Sequence, residues 1–412
     1  MSLAHKKLRA FNRSKVIKLI ITNGPISRVR LSGLTGLNQS TVSKIVNQLI
    51  EEGQVYESHR DESQYGRKPV NLEIHPRFRI YGVIDITLWV TTLAVCDLNG
   101  RILVKKEIET TDGKAEEFFD NCARLLAEMM APFEEPVAGI SVIIPSVLNS
   151  PEGHVFWNYL LKWKDVPVKE IVGRHFDSPI LTENDGRAGA LAELWFGRES
   201  SSLSNFVFVL VCQGIGTGII ISRRIHYGAH FLPGQFYAGI VEINGRWENL
   251  SERDTWEDRA SDLGVVIRYC EFSGEERDKN VERQMRRVIE LAEEGDYHAI
   301  RALKETARYL GTGLANINNG LDPEKIIIGG LVTRVWNLIE PELFDQIRRQ
   351  TPFPIVPLEQ IIVPTTLENP TFMGARAMIL QKMYGGLDLM YRQSHFDRQE
   401  FRTLVKRPAS VV

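Results

Sequence analysis

The chain has 412 residues, of which 43% are hydrophobic and 25% are charged, and its formal net charge at pH 7 is -2. This composition excludes a mostly disordered, collagen-like or membrane-embedded protein, and the length allows several domains at ~100–200 residues each. No stretch reaches the ~18 consecutive apolar residues of a spanning helix, and the N-terminus has no secretory pattern, so we expect a cytoplasmic protein without a membrane partner.

The charge is distributed unevenly along the chain. Residues 1–79 contain 14 Lys and Arg against 6 Asp and Glu, a balance of +8. Residues 80–412 contain 36 against 46, a balance of -10. A basic head therefore precedes an acidic body, which points to a polyanionic partner for the head alone.

Three helices are predicted in the head. Apolar spacing at 14–22 predicts the first, Ser27 can cap a second that runs to Leu34, and the turn 35–38 precedes a third that Gly53 ends. This order is typical of a helix-turn-helix. The outer face of the third helix holds side chains that can bond base edges or phosphates of double-stranded DNA: Gln39, Ser40, Thr41, Ser43, Lys44 and Asn47. The alternative is a helical bundle with a solvated polar face.

A wing is predicted after the third helix. Residues 54–58 and 70–74 alternate like two strands around a polar tip. The tetrad Gly66-Arg67-Lys68-Pro69 follows the tip, and we expect Arg67 and Lys68 to contact phosphates, or Arg67 to enter a minor groove. A merely solvated hairpin is the alternative. Residues 1–79 are thus predicted to form a winged helix-turn-helix domain.

Strands alternate with helices from residue 80, which predicts an α/β core. Strand-rich openings at 80–108 and 206–226 indicate two lobes, expected at 80–195 and 196–385, before a charged tail at 386–412. The predicted strands are 80–95, 102–108, 137–144, 180–182, 206–211, 218–222 and 325–328. The predicted helices are 115–130, 183–196, 281–314 and 373–381.

Four segments in this order resemble the ROK family of bacterial sugar kinases and sugar-responsive repressors. They are Glu183-Asn184-Asp185, the glycines at 214–218, the run 321–330 with its closing Gly-Gly pair, and Gly374-Ala375-Arg376-Ala377. The resemblance implies a two-lobed, actin-like ATPase domain of the ribonuclease-H-like type, with sugar bound between the lobes. It also implies that a chain with a winged helix in front is a repressor. In the family's kinases the aspartate at the position of Asp185 is the general base.

Two departures from the family pattern bear on activity and metal content. The phosphate loop Asp-x-Gly-Gly-Thr is here Asp85-Ile86-Thr87-Leu88-Trp89, so bulky side chains replace both glycines and we expect no kinase activity. The family's structural zinc is held by one His and three Cys. Those positions are Ala238, Glu248, Leu250 and Thr255 here, so no metal and no cofactor are expected.

The resemblance also points to an effector site that is partly retained. Asn184, Asp185 and Glu257 match sugar-binding positions, Asn158 matches an asparagine near the sugar, and Gln235 replaces a sugar-binding glutamate. A neutral amide bonds a hydroxyl more weakly than a carboxylate, so we expect altered sugar choice, weaker binding or a non-sugar effector. The alternative is that these residues serve as a helix cap and as surface charges.

We therefore predict a DNA-binding transcriptional regulator, a repressor of sugar-utilisation genes that responds to a sugar-type effector. A homodimer or homotetramer is expected, because one winged helix contacts few base pairs and a two-fold partner doubles the site. Two alternatives remain open: a ROK-type sugar kinase with a DNA-binding head, and an effector-independent DNA-binding dimer.

Overall fold

The structure is a computed structural model that describes residues 3–58, 70–158, 160–198, 200–239, 255–351 and 356–385. Arg67, Lys68 and the predicted tail 386–412 lie outside the described residues.

The head is a winged helix-turn-helix, as predicted. Its strands form one antiparallel sheet in the order β1–β3–β2, and its helices close over a small apolar core. The elements are α1 (Leu3–Asn23), β1 (Ile26–Ser27), α2 (Arg28–Thr35), α3 (Gln39–Glu51), β2 (Val55–Ser58) and β3 (Asn71–Ile74). The core includes Val16, Ile20, Leu31, Val42, Val46, Leu49 and Leu72.

The first lobe is built on a five-stranded sheet with the order β11–β7–β4–β5–β6. A small antiparallel sheet, β10–β9–β8, is attached to it. The elements are β4 (Ile80–Ile86), β5 (Val90–Asp97), β6 (Ile102–Glu109), α4 (Ala115–Met130), β7 (Val137–Ile144), β8 (Val147–Asn149), β9 (His154–Asn158), β10 (Trp163–Val166), α5 (Val168–Gly173), β11 (Ile180–Asn184) and α6 (Asp185–Phe196).

The second lobe repeats this topology with the order β16–β15–β12–β13–β14. When the strands of each sheet are counted in chain order, the first strand pairs antiparallel with the second and parallel with the fourth. The elements are β12 (Phe206–Val211), β13 (Ile215–Ile221), β14 (Arg224–Ile225), α7 (Trp256–Ala260), α8 (Asp262–Ser273), α9 (Val281–Glu293), α10 (Tyr297–Leu321), β15 (Lys325–Gly329), α11 (Trp336–Gln350), α12 (Leu358–Ile361), β16 (Ile362–Pro364) and α13 (Pro370–Tyr384).

Helices α6 and α13 lie between the two large sheets and share one core with both of them. They approach closely, since a Cβ atom on Gly374 would lie 2.3 Å from the carbonyl oxygen of Ala188. Phe208 of the second sheet and Val83 of the first belong to this central core. The two lobes are therefore joined through α6 and α13, which confirms the predicted two-lobed α/β architecture.

Two predicted elements are wrong in detail. Residues 80–95 form a hairpin rather than one strand, because the Thr87 hydroxyl and amide both donate to the carbonyl oxygen of Val90 and close a turn. The predicted helix 281–314 is two helices, because Gly295 has φ +92° and its amide donates to the Ala292 carbonyl at the end of α9. Both breaks are local events that apolar spacing does not reveal.

Candidate functional site

The third helix of the head begins at a well-formed cap. The Asn38 side-chain oxygen accepts hydrogen bonds from the Thr41 amide at 2.8 Å and from the Ser40 hydroxyl at 2.9 Å. The preceding turn contains Gly36 in the left-handed region at φ +70°. Of the predicted DNA-contacting residues, Gln39, Ser40, Lys44 and Asn47 are exposed, while Thr41 and Ser43 are half-buried. The side chains with base-reading chemistry thus face outward on α3.

Arg28 connects α3 to the wing, a link that the sequence analysis missed. Its Nη2 donates to Asn47 Oδ1 at 3.0 Å and to Glu57 Oε1 at 2.9 Å. The Asn47 oxygen therefore already accepts one hydrogen bond, which leaves its second lone pair for a base donor and its Nδ2 for a base or phosphate acceptor. An arginine at the first position of α2 is the only sequence signal for this role.

The cleft of the body forms at the carboxyl ends of β4, β7 and β11. Ile143 of β7 is in register with Asp85 of β4 on one side and with Glu183 of β11 on the other. Asn184 caps α6, because its side-chain oxygen accepts from the Arg187 amide at 3.2 Å. The Asp185 carboxylate accepts from Asn184 Nδ2 at 2.7 Å and from the Gly186 amide at 2.8 Å. Strand ends of this kind are where open α/β sheets bind ligands.

Asn158 joins this network through Ser146. Asn158 Nδ2 donates to the Pro145 carbonyl at 2.7 Å and to the Ser146 hydroxyl at 2.9 Å, and its oxygen accepts from the Leu161 amide at 2.8 Å. Asn184 Nδ2 donates to the Ser146 carbonyl at 3.4 Å. Both amide protons of Asn158 are used inside the protein, so one lone pair on its oxygen is the group left for a ligand.

Glu257 at the start of α7 faces the same cleft from the second lobe. Its Oε2 accepts from the Ile215 amide at 2.9 Å, and a Cβ atom on Gly214 would lie only 2.4 Å from that oxygen. Burial raises the pKa of Glu257 to about 7; the charges of Asp258 and Asp185 add to this rise, and the hydrogen bond from Ile215 opposes it. A carboxyl group with this pKa can accept from a ligand hydroxyl or donate to one near neutral pH.

Asp85 is a further cleft carboxyl that the sequence analysis did not place among the binding residues. Burial raises its pKa to about 7, with a further rise from the Asp185 charge and a decrease from Lys105. Burial also raises the pKa of Asp185, although the Gly186 amide and the Asn184 amide stabilise its charged form. The position of Asp85 near the end of the first body strand was the signal available in the sequence.

Gln235 lies in a short 3₁₀ helix, Gln235–Ala238, that packs on β13 beside the start of α6. A Cβ atom on Gly234, which has φ +95°, would lie 2.4 Å from the Thr217 carbonyl oxygen. A Cβ atom on Gly186 would lie 2.4 Å from the Thr217 amide nitrogen. Gln235 is half-buried next to this contact. Gln235 thus follows Gly234, which packs against the same residue, Thr217, as Gly186 of α6.

A buried ion pair fixes the wall of the cleft. Arg187 Nε donates to Glu183 Oε1 at 2.6 Å, and both side chains are 3% exposed. Glu183 also accepts from the Ser150 hydroxyl and from the Tyr227 hydroxyl, each at 2.6 Å, while Arg187 donates to the Phe231 carbonyl at 3.3 Å. The pair therefore joins the first lobe to the segment that leads to Gln235.

The region of the missing phosphate loop is a closed turn. Leu88 packs on the core of the first lobe, and Trp89 remains 38% exposed. The retained Gly329-Gly330 pair has a packing reason. A Cβ atom on Gly330, at φ +109°, would lie 1.7 Å from the Val211 carbonyl oxygen, and one on Gly329 would lie 2.5 Å from the Phe208 ring. These glycines are required by the fold whether or not a nucleotide binds.

Two of the four positions that correspond to the family's zinc ligands, Glu248 and Leu250, lie outside the described residues. Thr255 caps α7 by accepting from the Asp258 amide at 3.2 Å, and Ala238 is exposed. In the described part of the chain no group of three or more His, Cys, Asp or Glu side chains is placed to hold a metal ion. Its helices include none that is long and apolar enough to span a bilayer.

Comparison with known proteins identifies the family. A profile described as "ROK family" matches residues 81–382, and one described as "Winged helix-turn-helix DNA-binding" matches residues 12–56. The chain belongs to the ROK family and carries an N-terminal DNA-binding module of the winged helix-turn-helix type. It is 28% identical over 395 residues to the xylose repressor of Caldicellulosiruptor bescii, a match that covers 92% of this chain and 98% of the repressor.

Solved structures agree with this assignment. The crystal structure of a ROK family transcriptional regulator, a homologue of the Escherichia coli Mlc protein, matches with a TM-score of 0.73 and 25% identity over 92% of this chain and 98% of that one. A ROK family glucokinase from Streptomyces griseus, solved with glucose and AMPPNP, matches with a TM-score of 0.60 and 23% identity over 73% of this chain and 97% of that one. The body fold is thus shared by regulators and sugar kinases.

Proposed function

We propose that the protein is a DNA-binding transcriptional repressor whose affinity for its operator is set by a sugar-type effector. The exposed row Gln39, Ser40, Lys44 and Asn47 on a capped α3 is the observation that carries this proposal. Amide and hydroxyl groups can bond base edges in a major groove, and Lys44 adds a phosphate or guanine contact. The xylose repressor of C. bescii, which matches over nearly its whole length, supports the same role.

The effector site is proposed to be the cleft at the N-terminus of α6. Asp185 and Glu257 supply carboxyl groups, while Asn184, Asn158 and Gln235 supply amides. Closely spaced carboxyl and amide groups that face one another suit a ligand with several hydroxyls, because each hydroxyl both donates and accepts. A monosaccharide or a close derivative has this chemistry. An effector of this kind is expected to change operator affinity ~5–150-fold.

We further propose that the protein is not a sugar kinase. Phosphoryl transfer depends on positioning the phosphates, and Leu88 and Trp89 occupy the turn where relatives of the kinase type bring backbone amides to them. The glycines that remain have packing roles, so their retention does not argue for nucleotide binding. A coupled ADP-release assay across a panel of monosaccharides tests this point, and turnover above ~1 per second would contradict it.

The regulator is proposed to act as a homodimer or homotetramer on double-stranded DNA, in the cytoplasm. A two-fold assembly doubles the contacted site and fixes the spacing of its halves. Light scattering of the purified chain, alone and with its selected operator, measures this state. A monomer on a single half-site at nanomolar affinity would contradict the proposal.

The central experiment begins by selecting operator duplexes from a random DNA pool with the full-length protein. Thermal shift with monosaccharides, disaccharides and sugar phosphates, including D-xylose, then identifies the effector, because a ligand at ~100 times its dissociation constant adds ~2.7 kcal/mol of stability. Asp185→Ala should remove effector binding measured by calorimetry, together with the effect of the effector on operator affinity. Asp177→Ala, an exposed aspartate of the same lobe, is the matched control. Unaltered effector binding in Asp185→Ala would place the effector elsewhere.

A further inference from the structure

Among the contacts between head and body, one joins Lys18 and Ile21 of α1 to Trp195 and Tyr384 of the body. Lys18 Nζ lies 4.5 Å from the centroid of the Trp195 ring. Ile21 and Tyr384 each pack against both the core of the head and the central core between the lobes. We call this set the head–body contact. Trp195 belongs to the last turn of α6, which begins at Asp185 and is capped by Asn184.

The body side of this contact is held rigidly. Trp195 is 1% exposed, and its indole nitrogen donates to Gln381 Oε1 on α13 at 3.1 Å. Arg223 donates to the carbonyls of Leu203 and Ser201, both at 2.8 Å, on the segment that follows α6. Burial and the nearby Arg223 charge lower the pKa of Lys18 to about 8. Lys18 therefore contacts a surface whose position is set by α6 and its C-terminal extension.

Helix α6 is suited to transmit a displacement from one of its ends to the other. It has 12 residues, which corresponds to ~18 Å, and every residue from Gly186 to Trp195 is buried. Its first turns pack directly on β13, since a Cβ atom on Gly218 would lie 2.4 Å from the Gly186 carbonyl oxygen. A close-packed helix does not absorb a shift by bending, because its neighbours leave no free volume. A movement of the cleft must therefore move Trp195 as well.

We propose that α6 couples the effector cleft to the head: rearrangement around Asp185 shifts α6 along or about its axis and changes how the head is held at Lys18 and Trp195. This inference rests on the proposed function for its biological meaning, but the mechanical coupling can be measured without DNA or effector. In this proposal the cleft controls the head–body contact. Helix α13 with Tyr384 keeps its position while α6 shifts.

Lysine acetylation followed by mass spectrometry tests the coupling in the full-length chain. Asp185→Asn keeps the shape of the side chain and removes its charge, and we expect it to change the acetylation rate of Lys18 at least threefold relative to Lys44, which is exposed on α3. Asp177→Asn should leave the ratio unchanged. An unchanged ratio in Asp185→Asn, with a cooperative thermal transition retained, would overturn the proposal.

A double-mutant cycle gives a second readout on the selected operator. Residues this far apart normally act additively, to within ~0.3–0.5 kcal/mol, or roughly twofold in affinity. We expect the change in DNA affinity of the double variant, Lys18→Leu with Asp185→Asn, to differ at least threefold from the product of the changes in the two single variants. Additive effects would contradict the coupling while leaving DNA binding intact. Conversely, coupled acetylation in a protein that binds no DNA would support the inference and refute the proposed function.

Discussion

The carboxyl groups of Asp85 and Asp185 lie on the same side of the cleft, where the charge of Asp185 raises the pKa of Asp85. The parallel pairing of β4, β7 and β11 brings them to the same sheet edge, although 100 residues separate them in the chain. Glu257 adds a third carboxyl from the other lobe, and its pKa is also raised by Asp185. Closing the cleft over three carboxyl groups requires that their charges be neutralised by protons or stabilised by hydrogen-bond donors. The hydroxyls of a polyhydroxylated ligand are such donors.

The first prediction concerns the pH dependence of stability. The folded-state pKa of Asp85 is about 7, above its ordinary value, so the native state holds this proton more tightly than the unfolded state. Asp85 therefore does not lower the free energy of unfolding below about pH 4. It lowers it progressively between about pH 4 and about pH 7, and by a constant amount above that range. Asp85→Asn removes this titration, so its advantage in unfolding free energy over the wild type should be ~2–3 kcal/mol larger at pH 8 than at pH 5.

Urea unfolding of the wild type and Asp85→Asn at both pH values measures the effect. Glu109→Gln, an exposed carboxyl at the end of β6, is the control and should show no such difference. Parallel pH profiles for the wild type and Asp85→Asn would be inconsistent with a buried, protonated Asp85.

The second prediction concerns the reading face of α3. Replacing Gln39, Ser40 and Lys44 by Ala should abolish operator selectivity and lower non-specific affinity much less, because base contacts specify while phosphate contacts position. Competition gel shifts with operator and random duplexes measure the ratio. Lys106→Ala, an exposed lysine of the body, is the control. Selectivity that survives the triple substitution would move the reading surface away from α3.

The third prediction concerns the buried pair of Glu183 and Arg187. Arg187→Met leaves the Glu183 carboxylate uncompensated in an interior site and should cost ~3–5 kcal/mol of unfolding free energy. Adding Glu183→Gln removes the stranded charge and should recover part of this loss. Denaturant unfolding of both variants measures the difference. A single variant as stable as the wild type would indicate that the pair is not buried as described.

The fourth prediction concerns Gly214. A Cβ atom there would lie 2.4 Å from the Glu257 carboxylate, so Gly214→Ala should displace Glu257, cost ~1–3 kcal/mol and weaken effector binding. Gly33, in the middle of α2, has no neighbour within 4 Å of its own added Cβ atom. Gly33→Ala should therefore stabilise the protein by ~0.5–1 kcal/mol, because helical alanine loses less entropy than glycine. Equal effects of the two substitutions on stability would contradict this contrast.

Much of the fold could be predicted from local patterns. The predicted elements 115–130, 137–144 and 206–211 match the observed bounds of α4, β7 and β12, because each carries a strong apolar period and clear ends. Helix α1 begins at Leu3 rather than at residue 14, and its apolar residues Leu8 and Phe11 are exposed, so the apolar spacing that predicts a buried face starts only further along the helix. The small sheet β8–β10 was missed because its strands are short.

From residue spacing alone, the cleft was predictable only where the chain itself brings residues together, whereas Asn158, Gln235 and Glu257 were predicted from the family resemblance. Asn184 and Asp185 are adjacent at a strand–helix junction, so a sequence pattern could identify them. Asp85 joins them through parallel strand pairing, and Arg28 reaches Asn47 and Glu57 across three elements of the head. Such contacts depend on tertiary register, which the spacing of residues in one sequence does not specify.

The tight glycine contacts on β13 and β15 affect how members of this family are classified from sequence. A Cβ atom on Gly218 would lie 2.4 Å from a carbonyl oxygen of α6, and one on Gly330 would lie 1.7 Å from a carbonyl oxygen of β12, so replacing either glycine would disrupt the interior even in a protein that never binds a nucleotide. Selection for folding alone would preserve these residues after catalysis is lost. A genome survey that counts them will therefore assign kinase activity to regulators. The turn between β4 and β5, where no such packing constraint keeps a glycine, is the better place to separate the two groups.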